Sequence, residues 1–520
     1  MEEFRMKIMN VFYAFIWFFL TVFSVTARGQ DNLRQSPWHA VQQMAKDAVV
    51  QIFAERTPFN WLQPFRLSDH KKSFGTGFFI NVEGEIYIIT NFHVVEQAAY
   101  GVKIQVPSQG KEQFDVEVVG VAPKRDIALL QVASKSRAFL ESRITNIPTL
   151  KLGDSDQVRR MDEILLLGYP LGQEKLKSTQ GSVSCEREMA ADNSYIQLTA
   201  SLNPGNSGGP SLNTQGEVIG VNTSRVNIKM AQNIAYIIPV NDIKNLLRAL
   251  RSQRLFHTPV LGGDHILATK ELTSYLGNPQ PGGLYITHVH NGSLLQKAGV
   301  LDGDMIYMIN EHQIDAYGET VLPWSDDKVS IEALFNRFEI GKPLQLVVYR
   351  QGKRLESTVT FDSVPPLPIR RMYPGYEDIP YEVFAGMVIM PLALNHLTEL
   401  KKIDKKIARG LYKYEQQEAQ YEPRVLVTHL FPASQAHAAR CFRPGDVLDT
   451  IDDMPVRTLA DVRAAFARVA AENKKSIIIK TENKKLLVLD VPRVLREEQA
   501  LIERYSYKPS LSYNAFTGEK

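Results

Sequence analysis

From about Asp47 to Pro239 the chain alternates short apolar runs with turn residues: "DAVVQIFA", "GTGFFI", "EIYIIT", "FDVEVVGVA", "DIALLQV", "EILLLGYP", "EVIGVNTS" and "NIAYIIPV". Val, Ile and Phe dominate these runs, and branched or aromatic side chains suit a pleated, half-buried surface. Strands of this length at this spacing predict an all-β barrel or sandwich. The period then changes. Ile243, Leu246, Leu247 and Leu250 fall at i, i+3, i+4 and i+7, which predicts a closing helix, capped by Asn241, that leads into the next domain.

The remaining half contains an internal repeat. "LYITHVHNGSLLQKAGVLDGDMIYMIN" (Leu284 to Asn310) echoes "VLVTHLFPASQAHAARCFRPGDVLDTID" (Val425 to Asp452), with one inserted residue between their registers. Each copy predicts a strand, a Ser-led helical turn, a Gly-Asp turn and a second strand. An amphipathic helix follows each: "SIEALFNRFEI" from Ser330, and "TLADVRAAFARVAA" from Thr458, where Thr458 and Asp461 form a capping box. The seam "DSVPPLPIRRMYPGYEDIP" is Pro-rich and reads as a semi-rigid linker. The charged stretch "HLTELKKIDKKIARGLYKYEQQEAQ" reads as a helix inserted in the second copy, mostly a solvated face.

A length of 520 residues suits roughly three domains of about 150 residues each. Hydrophobic residues make up 44%, enough for globular cores. Lys+Arg 60 against Asp+Glu 57 is near balance and gives no electrostatic footprint for nucleic acid. The N-terminus differs in kind. Arg5 and Lys7 precede "IMNVFYAFIWFFLTVFSV", and Val25-Thr26-Ala27 resembles a small-residue cleavage site, the layout of a secretory signal. An uncleaved membrane anchor is the alternative, because the run approaches the length of a span. The two cysteines, Cys185 and Cys441, are too few for a disulfide scaffold and read as small buried hydrophobes.

Candidate chemistry centres on "SLNPGNSGGPSL", Ser201 to Leu212, where Gly and Pro crowd a lone serine between two apolar runs. A tight hairpin with a bystander serine is the plain reading. Glycine also lets backbone N–H groups face a ligand where a Cβ would obstruct, so Ser207 is a candidate nucleophile in a loop of donors. A serine hydroxyl needs a base to take its proton, and the base needs an orienting group. His93 in "YIITNFHVV" sits where a strand ends, and Asp126 precedes "IALL", where it would be drawn under a strand and need a donor. The order His, Asp, Ser is that of the chymotrypsin-type arrangement. The oxyanion donors are then the N–H groups of Ser207 and Gly205.

"SFGTGFFI", "TNFHVV", "DIALLQV", "LGYPLG" and "NPGNSGGP" resemble, in order, the signature blocks of the HtrA/Deg family of trypsin-like serine proteases. The resemblance runs from about Val49 to Val494, and the two repeats look like that family's PDZ domains. "FHTPVLG" and "YEVFAGMVIMPL" are most similar to the plant-type Deg branch, whose second PDZ is divergent. The implied fold is mostly β: a chymotrypsin-like double β-barrel followed by two α+β PDZ domains. The implied boundaries are a signal peptide at 1–27, a protease domain at 28–252, a first PDZ at 256–363, a linker at 364–380, a second PDZ at 381–495 and a tail at 496–520.

Carried over residue by residue, the resemblance implies His93, Asp126 and Ser207 as the triad, with no cofactor or metal. No G-x-x-x-x-G-K-[ST] or H-E-x-x-H pattern occurs in the sequence. Where the family usually reads "QTDAAIN", this chain has "QLTASLN", so Ser201, Leu202 and Asn203 border a specificity pocket that Ala235 narrows in place of the usual Gly. PDZ domains capture C-terminal carboxylates in a loop of amides. By resemblance those loops are Val260, Leu261, Gly262 and Gly263, and Phe384, Ala385, Gly386 and Met387. One groove, the second above all, could instead be closed and serve assembly.

The family forms trimers or larger assemblies, for which "TPFNWLQPF" is a candidate contact or else a packed loop. The expected function is an exported, ATP-independent serine endopeptidase that degrades unfolded or damaged proteins in a bacterial envelope. A chaperone or peptide-binding scaffold with a latent protease site is the rival, and an esterase a third reading.

Overall fold

The computed structural model describes residues 36–98, 101–190, 193–224 and 234–518. The expected signal at 1–27 lies outside them. Two closed six-stranded barrels form the first half. The first joins β1 (Val49–Arg56), β2 (Lys71–Val82), β3 (Glu85–Thr90), β6 (Ile127–Val132), β5 (Gln113–Ala122) and β4 (Val102–Gln105) in that order. The second joins β10 (Pro210–Leu212), β11 (Val218–Thr223), β12 (Ala235–Pro239), β9 (Asn193–Leu198), β8 (Lys177–Ala190) and β7 (Glu163–Gly168).

Period-two alternation explains both interiors. Val50, Ile52, Phe79, Ile88 and Leu130 fill the first barrel, while Ile164, Leu166, Ile196, Leu198 and Ile237 fill the second. The opposite faces of the same strands (Phe78, Ile89, Leu165, Leu167, Val221) meet between the barrels under the helix Val240–Ser252, which buries Ile243, Leu246 and Leu250 there. Each such side chain contributes about 1.5–3 kcal/mol. The helix cap differs from expectation. Pro239 stands at the N-cap, and Asn241, already inside the first turn, donates from Nδ2 to Asp154 Oδ1 at 2.6 Å.

The first repeat domain orders its sheet β13 (Gly263–Leu267), β14 (Leu284–Val289), β15 (Met305–Ile309), β19 (Pro343–Arg350) and β20 (Lys353–Thr360). The short strands β16 (His312–Gln313), β17 (Glu319–Thr320) and β18 (Val329–Ser330) flank it. The second repeat domain has two sheets. One orders β21 (Glu382–Phe384), β22 (Met387–Pro391) and β23 (Val425–Leu430). The other orders β25 (Met454–Pro455), β24 (Leu448–Ile451), β26 (Ser476–Thr481) and β27 (Leu486–Asp490). Ser293 and Ser434 cap the two predicted helical turns, each accepting from the third backbone N–H beyond it. Thr458 and Asp461 form the predicted capping box.

Four further expectations are corrected. The helix from Ser330 is a single turn, Ile331–Leu334. The charged insertion breaks at Asp404 into Leu394–Ile403 and Lys405–Leu411 and buries Leu397, Leu400, Ala408 and Leu411, so it is core on one side. Cys185 and Cys441 are free and only partly buried. The segment expected as a tail continues the helix Val491–Tyr505 and adds a second, Leu511–Thr517.

Candidate active site

The strand β3 ends at Thr90, and the next residues turn into the short helix Phe92–Val95 that carries His93. Gly75 lets β2 pass beneath it, since a Cβ there would lie 2.5 Å from Val94 Cγ1. Asp126 follows the 3₁₀ turn Pro123–Arg125 in the left-handed region (φ +55°), a conformation Asp tolerates better than most residues. The turn drives its side chain under β6, where it is 1% exposed. Three donors meet that carboxylate. The His93 ring nitrogen Nδ1 lies 2.9 Å from Oδ2, the His93 backbone N–H donates to Oδ1 at 3.0 Å, and the Thr223 hydroxyl donates to Oδ2 at 2.9 Å. A buried carboxylate so satisfied holds the imidazole in one orientation and tautomer.

Ser207 lies in the loop ahead of β10, 2% exposed. Its Oγ is 2.6 Å from Ser224 Oγ and accepts from Ser224 N at 3.3 Å. Consecutive residues Thr223 and Ser224 thus touch Asp126 and Ser207 in turn, which draws the three distant side chains into one cluster. Among the described residues the Ser207 hydroxyl is not hydrogen-bonded to the His93 ring. In the same loop the amides of Asn206, Gly208 and Gly209 donate to Asn203 O, Asn222 O and Asn206 O. Those of Gly205 and Ser207 donate to nothing among the described residues. Gly208 is obligatory here. Its φ is +85°, and a Cβ would lie 2.2 Å from Thr90 Oγ1.

Thr76 was not singled out by sequence reasoning, although it stands in "SFGTGFFI". Its N–H donates to Ser207 O at 2.9 Å, its hydroxyl donates to Gly205 O at 2.7 Å, and the same oxygen accepts from Tyr169 N at 3.0 Å. One side chain of the first barrel therefore fixes the backbone of the serine loop. Thr223 and Ser224 were missed likewise, since nothing in "GVNTS" marks which hydroxyl faces which partner. Of the expected pocket residues, Ser201 and Asn203 are exposed and Leu202 is partly buried. Ala235 is 1% exposed, paired with Leu198 across β12 and β9 and packed in the second barrel's core.

The chain matches the trypsin-like peptidase domain family over residues 75–221 and the PDZ domain family over residues 373–514. Its relatives among curated proteins carry HtrA and DegP-like names. It is 28% identical over 311 residues to the "Serine protease Do-like HtrA" of Bacillus subtilis (strain 168), covering 56% of this chain and 64% of that one. It is 31% identical over 299 residues to the "Probable periplasmic serine endoprotease DegP-like" of Chlamydia muridarum (strain MoPn / Nigg), covering 56% and 54%. A protein of the same description from Hahella chejuensis (strain KCTC 2396) is 26% identical over 429 residues, covering 80% of each chain. The chain thus spans 54% to 64% of the first two relatives.

The two expected carboxylate loops of the repeat domains differ sharply. Val260 to Gly263 leads into β13, an edge strand. Between β13 and the helical turn Ile331–Leu334 lies a cavity of about 500 Å³ lined in part by Gly262, His265, Ile286, Leu295, Ile331 and Phe335. Phe384 to Met387 instead makes a tight hairpin in which β21 pairs along β22, Phe384 opposite Met387 and Glu382 opposite Ile389. Gly386 N donates to the buried Glu498 carboxylate at 3.3 Å, and Tyr507 OH donates to its other oxygen at 2.7 Å. Burial pushes the Glu498 carboxyl up to about 7. Phe384 is covered by Phe466 and Phe516 at ring distances of 4.8 and 5.2 Å.

The aromatic segment packs within the chain. The Trp61 ring lies 5.1 Å from that of His396, and the Phe65 ring lies 5.2 Å from that of Phe431.

Proposed function

We propose that this protein is a serine endopeptidase working through an acyl-enzyme. The observation that carries the reading is the Asp126 carboxylate, shielded from water, holding His93 Nδ1 at 2.9 Å while Thr223 and Ser224 tie it to Ser207. In this reading the Ser207 hydroxyl rotates from Ser224 to the free ring nitrogen of His93 and gives up its proton as it attacks the scissile carbonyl. Imidazolium formation is favoured by Asp126. The unengaged amides of Gly205 and Ser207 receive the oxyanion, and such donors are worth about 2.7–4 kcal/mol each in a preorganised site. His93 then hands the proton to the leaving amine, and water repeats the sequence to free Ser207.

Extended, unfolded polypeptides suit the site, with their C-termini held at the first PDZ groove. The N-terminal sequence and the periplasmic location in relatives' names support export to a bacterial envelope, and the likeness to HtrA proteins supports a homo-oligomer. Among the described residues no helix is long and apolar enough to cross a membrane. The domain boundaries belong to the same proposal, with the last domain extended through the helix Leu511–Thr517.

Casein cleavage tests the reading. Ser207→Ala is expected to abolish it with the fold intact, and undiminished cleavage by the purified variant overturns the assignment. The Ser207–Ser224 hydrogen bond favours one rival, a client-binding scaffold whose protease rests in a latent state. Labelling by a fluorophosphonate separates the two, because a latent hydroxyl stays unlabelled.

A further inference from the structure

The helix that carries His93 is four residues long, so nearly all its carbonyls need partners from elsewhere. Two side chains supply them. The Arg56 guanidinium donates to His93 O, and to Val94 O at 3.2 Å. The third carbonyl, Val95 O, accepts from the Ala98 backbone N–H at 3.2 Å and, more closely, from the phenol of Tyr376 at 3.0 Å. Tyr376 belongs to the Pro-rich seam, 281 residues further along the chain. Burial pushes its phenol pKa up, so the hydroxyl keeps its proton and remains a donor.

The rings add a second tie. Phe92, immediately before His93, is 1% exposed and packs edge-on to Tyr373 at 5.6 Å and against Tyr376 at 5.7 Å. The turn bearing both tyrosines is itself fixed. Tyr373 N donates to Glu377 Oε1 at 2.6 Å, and Arg370 pairs with the same carboxylate. The turn is then held to the second PDZ domain through Asn395, whose amide donates to Met372 O at 3.0 Å while its oxygen accepts from Met372 N at 2.8 Å. A continuous set of contacts therefore runs from the second PDZ domain through the seam to the Phe92 ring before His93 and the Val95 carbonyl after it.

We propose that Tyr376 is a positioning residue for His93, and that the second PDZ domain, its own groove filled from within, serves to hold that tyrosine in place. This rests on the serine-protease reading. The imidazole must meet Ser207 Oγ and Asp126 together, and a four-residue helix with a loose end lets the ring drift from one of them. Small errors in such geometry reduce turnover far more than substrate affinity.

The test is Tyr376→Phe in the full-length chain, which keeps the ring on Phe92 and removes only the side-chain donor to Val95 O, leaving the Ala98 N–H in place. The expected results are a roughly tenfold slower fluorophosphonate labelling of Ser207 and an equal fall in kcat on a chromogenic peptide, with KM unchanged. The low-field proton resonance of the His93–Asp126 hydrogen bond should broaden. Asn395→Ala, which frees the turn without touching the protease domain, should reproduce these changes at wild-type barrel stability.

A folded Tyr376→Phe protein with wild-type labelling, kcat and low-field signal overturns the inference. So does a loss that appears only as raised KM. If wild-type Ser207 itself fails to label, the protease reading falls instead, and the low-field signal alone decides the role of Tyr376.

Discussion

The two repeat domains start from the same strand, capped turn and strand, yet one presents an open groove and the other is closed by its own chain. The difference begins two residues before each loop glycine. In the first domain that region reads Thr258-Pro259-Val260, and Pro259 has no N–H to give to a neighbouring strand. In the second it reads Glu382-Val383-Phe384, which can pair throughout, and it does so as β21 along β22. The edge that β13 leaves free is thereby occupied in β22.

Polar side chains complete the closure. Glu382, 1% exposed, accepts from Arg463 Nε at 2.7 Å and from Ser512 N at 2.8 Å. Glu498 meets the Gly386 amide where a ligand's terminal carboxylate would arrive in an open domain. The comparison teaches that a loop of amides becomes a receptor only if the adjoining strand edge and the loop donors are both left without internal partners.

The strongest way to break this comparison is to deliver a peptide with a free C-terminal carboxylate and a photoreactive side chain. Cross-links should fall on the first groove and spare Phe384 to Met387. Gly262→Val should abolish them, because φ is +79° there and a Cβ would lie 2.4 Å from Ser293 Cβ. The loss should be at least about tenfold in affinity, or about 1.4 kcal/mol. Equal labelling of both loops in the wild-type protein would contradict the closed second domain.

Next in size is Glu498→Ala, which leaves the Gly386 amide and the Tyr507 hydroxyl buried without an acceptor. It should cost the second domain about 2–4 kcal/mol, visible as a lower midpoint in thermal unfolding. A smaller effect concerns pH. The folded Glu498 carboxyl is pushed up to about 7, against about 4.3 in an unfolded chain. The folded state therefore holds more protons between these values, and this group's stabilisation is complete at about pH 4 and declines as pH rises toward 7. The difference in melting midpoint between wild type and Glu498→Gln should shrink or reverse over that interval. A difference that grows with pH would show that Glu498 is ionised in the fold.

Much of the molecule was legible beforehand, for identifiable reasons. Strand alternation and the short motifs around His93, Asp126 and Ser207 are local patterns, and each Ser-led turn carries its own cap. The closure of the second domain had no such mark. Glu498 stands beside Glu497 in "REEQ", and only packing against Tyr507 and Gly386 makes one of them internal. The same holds for Thr76, whose role depends on barrel contacts with residues more than 90 positions away. The aromatic segment "TPFNWLQPF" signalled burial correctly, but sequence cannot say whether such a surface meets a second copy or the chain's own distant half.

One contact at the barrel's edge sets how freely the parts can move. Arg125, one peptide bond from Asp126, is 6% exposed, and its guanidinium donates to Asn336 O at 2.9 Å and Phe335 O at 3.1 Å in the first repeat domain. Burial lowers its pKa to about 10, which still leaves it cationic at neutral pH. Swinging that domain outward would break both of these hydrogen bonds. On the proposed reading, the first groove and Ser207 are thus kept at a set separation, so a tethered polypeptide would be measured against a ruler rather than a leash.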